Sequence, residues 1–391
     1  MFLPKKAWCL LKNDQKKYAL FIFVLIFIAM ILEGLSIGII LPLISILLNG
    51  NVDNSIFSHF FTFTDLSGKN LVFIGLLITL MIFLTKNLLL SFNLWQQTKF
   101  LRNLHFEITN RLFKFYLKSD YIFFLQNNSA HLYRNLTDII SSYVAYIKGY
   151  MTFLSEAIVF IGIAIILFYV DFIGTAIILF SAGILSFLIY KLTIGKISFF
   201  GKERAIVGGE LNKHLLQGMI SAKDVKILDR EEDLILQVNK NSYKMTKLSQ
   251  LIQFITGLPR FSFEVLMVFS FSAIVFVMLS AQRDMIDIIQ YLGVFAVASF
   301  RIVPGASRML SSFQNIRYIE PSVKILLNEF ERNFTSQSYK EFKKNKLDHI
   351  LKFEKKIILK NLSFSYPTRK EFSLSKISMT INKGDAIGIS P

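Results

Sequence analysis

Six long apolar blocks, separated by polar and basic segments, most constrain the fold of this 391-residue chain. They cover residues 18–48, 71–117, 148–170, 173–194, 251–279 and 291–322. Blocks of about 20 predominantly apolar residues are typical of helices that cross a bilayer. Hydrophobic residues make up 53% of the chain and the mean hydropathy is +0.49, which excludes an ordinary soluble domain. The sequence therefore predicts an all-α polytopic membrane domain with six transmembrane helices.

The distribution of basic residues predicts the orientation of these helices. The net charge is +17, and Lys and Arg concentrate in residues 1–17, 99–118 and 195–248. With six spans, these segments fall on one side of the membrane, and the positive-inside rule makes that side cytoplasmic. We therefore expect both termini in the cytoplasm. Lys and Arg residues placed between apolar blocks usually set membrane topology rather than bind nucleic acid, so we expect no nucleic-acid partner.

Other residue types exclude several kinds of site. Cys9 is the only cysteine, which excludes an intrachain disulfide and a cysteine-based metal site. The five histidines are scattered without metal-ligand spacing, so we predict no metal site. The external loop, residues 49–69, contains Phe57, Phe60 and Phe61. These rings could hold a polyprenyl tail, although an interfacial aromatic anchor explains them more simply.

Three basic residues within the predicted spans form the candidate substrate cavity: Lys86, Arg301 and Arg308. At about 1.5 Å rise per residue, Lys86 and Arg301 lie at similar depth near the midplane. Arg308 lies about two turns deeper, on the same helix face as Arg301. Because lipid does not solvate cations, these side chains are expected to face a polar cavity. Guanidinium groups there would bind the phosphate oxygens of a pyrophosphate-linked lipid.

Two other interpretations of the same cations stay open. Glu33, Glu156 and Glu264 also lie well inside their spans, so the cations could serve as structural ion-pair partners. Alternatively, Lys86 or Arg308 could extend along its helix to reach the headgroups.

Two long hairpins are predicted to extend into the cytoplasm after the second and fourth spans. Their far ends, residues 123–128 and 222–231, have the polar and charged character of turns between helices. The turn residues predicted to contact a cytoplasmic partner are Gln126, Asn127, Asn128, Asp229, Arg230 and Glu231.

The pattern of the chain changes after a Lys-rich linker at residues 328–352. Residues 356–366 and 372–381 have the composition of short strands, residues 382–385 form a turn, and Ala386 opens a third strand. The sequence thus predicts a membrane domain at 1–327, the linker, and a segment of short strands at 353–391, which the resemblance described next implies is the beginning of an α/β domain.

This last segment resembles the opening of an ABC transporter nucleotide-binding domain. The resemblance rests on the run Phe364-Ser365-Tyr366-Pro367, a hairpin, and the turn Gly384-Asp385 leading into a strand. Tyr366 falls at the position that stacks on adenine in that family. The six-span core with two inward hairpins resembles the exporter-type transmembrane domain. Residues 225–232 are similar to its second coupling helix.

Three further segments, residues 33–37, 125–137 and 299–308, are most similar to bacterial lipid-linked oligosaccharide flippases. The resemblance implies a homodimer in the bacterial inner membrane that uses ATP and Mg²⁺ to flip a lipid or lipid-linked glycan. The alternative is a peptide or drug exporter of the same fold, which would favour an apolar or acidic cavity.

One position departs from the family pattern. The phosphate-binding loop G-x-x-x-x-G-K-[ST] would begin at residue 391, where this sequence has proline. Pro391 lacks an N–H group and cannot adopt the positive φ of the loop glycine. Walker A, Walker B and the signature motif are absent from the 391 residues. We therefore expect this chain, as a truncated or split product or an inert fragment, not to bind or hydrolyse ATP alone.

Overall fold

The computed structural model describes residues 8, 10–39, 69–335, 355–366 and 372–388. The helices are α1 (Asn13–Gly38), α2 (Lys69–Leu117), α3 (Tyr121–Gln126), α4 (Ser129–Arg134), α5 (Ile140–Val170), α6 (Phe172–Ile220), α7 (Ala222–Ile227), α8 (Glu231–Ser280) and α9 (Met285–Thr335). A π-helical turn, Asn135–Ile139, joins α4 to α5, and the strands are β1 (Lys356–Phe364) and β2 (Leu374–Asn382). Two compact units result, Met1–Lys114 with Ala130–Glu329 and Phe115–Ser129 with Phe330–Pro391.

Six of the described helices are long and apolar enough to cross a membrane, which confirms the predicted number of spans. They are α1, α2, the helical run from α4 to α5, α6, α8 and α9. With 49 residues, α6 is about 74 Å long, whereas the hydrocarbon core of a bilayer is about 30 Å thick. The helices therefore extend well past the predicted spans, because their polar ends continue the same helical ladder.

Small residues bring α1 close to α5. A Cβ atom at Gly162 would lie 2.5 Å from Met30 Cγ, and one at Gly34 would overlap the Ile166 side chain. Close approach over small residues is the usual way in which membrane helices pack. Next to this contact, residues of α1, α5 and α9 form one apolar core cluster that includes Phe295. The packing places the charged residues of these three helices side by side.

Prolines interrupt the backbone ladder of two spans without ending the helices. Pro259 lies inside α8, and Pro304 and Pro321 lie inside α9. The side-chain oxygen of Ser311 on α9 donates a hydrogen bond of 2.7 Å to the Thr256 carbonyl on α8. Since these two helices run in opposite directions, this bond fixes which of their residues lie at the same depth.

A tight turn joins the third span to the fourth, as predicted at Asp171. Asp171 Oδ2 accepts a hydrogen bond of 2.6 Å from the Gly174 N–H and so caps the first turn of α6. Asp171 Oδ1 lies 3.0 Å from Arg283 Nη1, in the turn between α8 and α9. We call Asp171 and Arg283 the turn clasp. It lies on the opposite side of the spans from the long helical extensions.

The second unit contains a β-hairpin. β1 and β2 are antiparallel, with Lys356 opposite Asn382. The predicted turn follows, where Asp385 Oδ2 accepts a hydrogen bond of 2.7 Å from the Asn382 N–H and Gly384 has φ of 99°. The third strand predicted from Ala386 is not present through residue 388, because nothing described pairs with that segment.

Several predictions fall partly or wholly outside the described residues. The linker predicted at 328–352 begins inside α9, which continues to Thr335, and its remainder is not described. The external loop with Phe57, Phe60 and Phe61 is not described either, nor are Cys9, Pro391 and residue 389 of the predicted third strand.

Candidate functional site

The first part of the site is a buried carboxylate that receives two of the predicted cations. Glu33 Oε1 on α1 lies 2.5 Å from Arg301 Nε on α9 and 3.9 Å from Lys86 Nζ on α2. Lys86 also donates a 3.5 Å hydrogen bond to Ser36 Oγ. Only 3% of the Glu33 side chain is exposed. The prediction that Lys86 and Arg301 lie at similar depth agrees with this common partner.

The second part is Glu156 on α5, which lies between the two arginines. Arg308 Nε donates a 2.7 Å hydrogen bond to Glu156 Oε1, and Arg301 Nη1 lies 3.9 Å from Glu156 Oε2. Exposure of the side chains rises from 12% for Glu156 to 44% for Arg308. We call Glu33, Lys86, Glu156, Arg301 and Arg308 the charged cluster, which runs from the buried interior to the surface of the described chain.

Gly305 makes room for Glu156 against α9. A Cβ atom at this position would lie 3.0 Å from Glu156 Oε2. Positions 301, 305 and 308 share one face of the helix, so the carboxylate sits between Arg301 and Arg308 directly over the glycine. The α5 side chain is thereby held in a notch on α9.

The charges of the cluster do not balance. Lys86, Arg301 and Arg308 contribute three positive charges and the two glutamates two negative charges, so 3 − 2 leaves one positive charge in excess. At the buried end, Glu33 Oε2 has no hydrogen-bond partner among the described atoms. At the exposed end, the bond to Glu156 uses one of the five N–H donors of Arg308. An anion approaching the cluster would therefore meet Arg308 first.

The third acid predicted inside a span has a different partner. Glu264 Oε1 lies 3.2 Å from Arg260 Nε, one turn away on α8, and both side chains are exposed. Arg260 was missed as a candidate, although its i,i+4 spacing to Glu264 within the span 251–279 is a sequence signal for an ion pair. Gly305 was missed as well, since one sequence does not indicate which glycine receives a neighbouring carboxylate.

The predicted partner-contacting turns lie beyond the spans. Gln126 ends α3, and Asn127 Nδ2 donates a 2.7 Å hydrogen bond to the Phe123 carbonyl. Both residues, with Asn128, belong to the second unit, which also contains the β-hairpin. The first turn is therefore held mainly by local contacts and aromatic packing, such as the edge-to-face pair of Phe123 and Phe124 at 5.5 Å.

The other turn, after α7, belongs to the first unit. Asp229 has φ of 52°, a left-handed conformation suited to a sharp reversal. Arg230 Nη1 lies 2.5 Å from Asp233 Oδ2, and Lys226 Nζ lies 2.6 Å from Glu231 Oε1. The hydrogen bond from Lys226 lowers the pKa of the Glu231 carboxyl.

Tyr366 follows β1 and packs edge-to-face on Phe364, with ring centroids 5.0 Å apart. Its ring is partly buried in the second unit. In the described ranges, no three His, Cys, Asp or Glu side chains are grouped to hold a metal ion. No known protein-family model matches this chain.

Proposed function

We propose that this chain is the membrane part of an ABC-type exporter that flips an anionic lipid, such as a lipid-linked oligosaccharide, across the bacterial inner membrane. The charged cluster carries the proposal. It leaves one positive charge in excess inside an apolar six-span domain, and Arg308 presents further donors at its exposed end. A phosphate or pyrophosphate headgroup supplies the opposite charge and oxygen acceptors at guanidinium spacing.

The lengths of the helices support the exporter architecture. α2, α6, α8 and α9 contain 49 to 51 residues, so each has about 45 Å beyond the hydrocarbon core. The turns after α2 and α6 follow even-numbered spans and lie on one side, where the basic residues concentrate. The positive-inside rule makes that side cytoplasmic, with both termini there. Such arms would transmit motion from a nucleotide-binding domain to the spans.

The second unit supports the same assignment. It groups residues Phe115–Ser129, which include the first turn, with the C-terminal hairpin. In a transporter of this type, residues 353–391 would open the nucleotide-binding domain and Tyr366 would stack on the adenine of ATP. The phosphates and Mg²⁺ would be held by the phosphate-binding loop of that transporter.

A homodimer would account for the charges left exposed on α8. The bond from Ser311 to Thr256 sets Arg260 at about the depth of Ser307, within the predicted span, where Arg260 and Glu264 are exposed. Exposure of charged side chains to lipid is costly. A second copy would cover this face and bring two charged clusters into one assembly.

Lipid binding to the purified chain tests the proposal without requiring ATP. The chain is placed in phosphatidylcholine nanodiscs, and a polyprenyl pyrophosphate is titrated against the matching uncharged polyprenol. Arg308→Ala removes charge-assisted hydrogen bonds worth about 1.5–3 kcal/mol, so affinity for the pyrophosphate lipid should fall about 10- to 100-fold. Arg308→Lys should be intermediate, because it keeps the charge and loses the planar fork.

Arg283→Ala serves as the control, since it removes an arginine from the turn clasp on the opposite side of the spans. Its affinity for the pyrophosphate lipid should equal that of the wild type. Unchanged binding in well-folded Arg308→Ala protein would contradict the proposed function.

A peptide or drug exporter of the same fold is the second candidate. The apolar cleft among α6, α8 and α9, lined by residues that include Ala182, Phe263, Ile302 and Ala306, does not favour it, because its volume of about 20 Å³ is too small for such a substrate. Equal affinity of the wild type for the polyprenol and the polyprenyl pyrophosphate would favour this candidate over the anionic lipid.

A further inference from the structure

Glu156 lies between the two arginines of the charged cluster. It bonds to Arg308 at 2.7 Å and faces Arg301 at 3.9 Å, so it lies between the two guanidinium groups that a headgroup would use. A carboxylate presents two oxygens at the spacing that an arginine fork recognises, much as a phosphate does. Glu156 therefore occupies the place where a phosphate would bind these arginines.

The position of Glu156 also allows it to leave. Glu33 is almost fully buried and bound by two cations, whereas Glu156 lies nearer the exposed end of the cluster. Gly305 contributes no side chain around the carboxylate, and the cations that pair with Glu156 in the described part of the chain are Arg301 and Arg308. When a phosphate takes the place of Glu156, no buried cation is left unpaired, because the incoming anion replaces the lost negative charge.

We propose that Glu156 is a built-in substitute for the substrate phosphate, which it holds off Arg301 and Arg308 until an anionic lipid headgroup displaces it. The inference rests on the proposed function and adds a residue that sets the affinity of the site. Without the lipid, Glu156 keeps the two guanidinium groups paired inside the membrane. With the lipid, the headgroup takes over both arginines and the Glu156 side chain swings out of the notch over Gly305.

The decisive variant is Glu156→Gln, which keeps the size of the side chain and removes its charge. An amide competes less well for a guanidinium than a carboxylate does. Affinity for a polyprenyl pyrophosphate in phosphatidylcholine nanodiscs should therefore rise about tenfold over the wild type. A structural role predicts the reverse, a poorly folded protein or weaker binding.

Glu264→Gln is the matched control. It removes the same charge from the same membrane domain, but Glu264 contacts Arg260 and not the charged cluster. Its affinity for the pyrophosphate lipid should equal that of the wild type. Equal tightening in Glu264→Gln and Glu156→Gln would mean that net charge alone sets the affinity, and would overturn the proposal.

A second variant keeps the test valid if Glu156→Gln does not fold. Glu156→Asp retains the charge but shortens the side chain by one methylene, which draws the carboxylate back from Arg308. Binding should tighten by about two- to fivefold, between the wild type and the glutamine variant. Binding equal to or weaker than that of the wild type would overturn the proposal.

The outcomes separate the inference from the proposed function. If the wild type prefers the pyrophosphate lipid but Glu156→Gln does not bind it more tightly, the inference fails and the proposed function stands. If neither protein prefers it over the polyprenol, both fail. Inorganic pyrophosphate in solution, titrated in parallel, distinguishes a lipid headgroup from a free phosphate compound, and binding of the free compound as tight as that of the lipid would contradict a lipid substrate.

Discussion

The turn clasp and the charged cluster both pair arginine with buried carboxylates, yet their charges add up differently. In the clasp, one arginine meets one aspartate, whose second oxygen caps α6. In the cluster, three cations share Glu33 and Glu156, and one positive charge has no internal partner. The charges of the clasp therefore balance within the chain, and the pair holds two turns together. Under the proposed function, the excess charge of the cluster is neutralised by an anionic lipid headgroup, whereas the clasp is a structural ion pair.

The largest expected effect comes from breaking the buried end of the cluster. Glu33→Ala leaves both Lys86 and Arg301 without their nearest carboxylate, and removing one partner of a buried ion pair costs about 3–5 kcal/mol. We expect a large loss of folded protein, measured as the monodisperse fraction after detergent extraction.

Combining Glu33→Gln with Lys86→Gln sharpens this result, because the pair of changes restores the original excess of one charge. The double variant should recover part of the folded yield lost in Glu33→Gln alone. Glu210→Ala, which removes an exposed acid beyond the predicted spans, is the control and should change the yield little. Normal yield of Glu33→Ala would show that the buried pairs contribute little to folding.

An intermediate effect is expected at the turn clasp. Asp171→Ala removes the cap of α6 and the partner of Arg283, which together contribute about 1–2 kcal/mol. The melting temperature in detergent should fall by a few degrees, while affinity for a polyprenyl pyrophosphate stays unchanged. Asp284→Ala, at the neighbouring exposed position, is the control for the loss of an acid. A loss of lipid binding in Asp171→Ala would mean that the clasp also shapes the site.

The smallest effect is expected at the turn after α7, where the exposed Lys226 pairs with Glu231. The hydrogen bond from Lys226 holds the pKa of Glu231 below the usual 4.5, so the folded state binds this proton less readily than the unfolded state. The contribution is thus complete above about pH 4.5 and is lost as the pH falls through the lowered value. Amide exchange at the turn should increase over that range, and Lys226→Ala should abolish the change. Lys223→Ala, on the same helix, should retain this pH dependence of amide exchange.

The spans could be predicted from the sequence because long apolar blocks directly indicate membrane helices. The three cations could be identified for a related reason, since a charge within such a block is conspicuous. Which acid each cation meets could not be predicted, because the pairing depends on the rotation of α1, α5 and α9 about their axes. That rotation is set by contacts such as Met30 against Gly162, between residues far apart in the chain.

In the C-terminal segment, the local structure could be predicted but the long-range pairing could not. Alternating residues and a Gly-Asp turn predicted β1, β2 and the turn at Gly384, which depend on local pairing. A third strand requires a partner strand from elsewhere, and the sequence of residues 386–388 does not indicate whether one is present. Arg260 was overlooked for a different reason, since its i,i+4 spacing to Glu264 was a sequence signal for an ion pair.

The prolines of α8 and α9 have a mechanical consequence. Pro304 has no N–H to donate to the Phe300 carbonyl, and Pro259 likewise leaves the Ile255 carbonyl without its helical donor. The bond from Ser311 to Thr256 sets both prolines within about two turns of the depth of Arg308. Both helices are therefore easier to bend near this level. A force applied to the long ends of α8 and α9 would bend both helices mainly near this level. Such bending would change the distance between the guanidinium groups of Arg301 and Arg308.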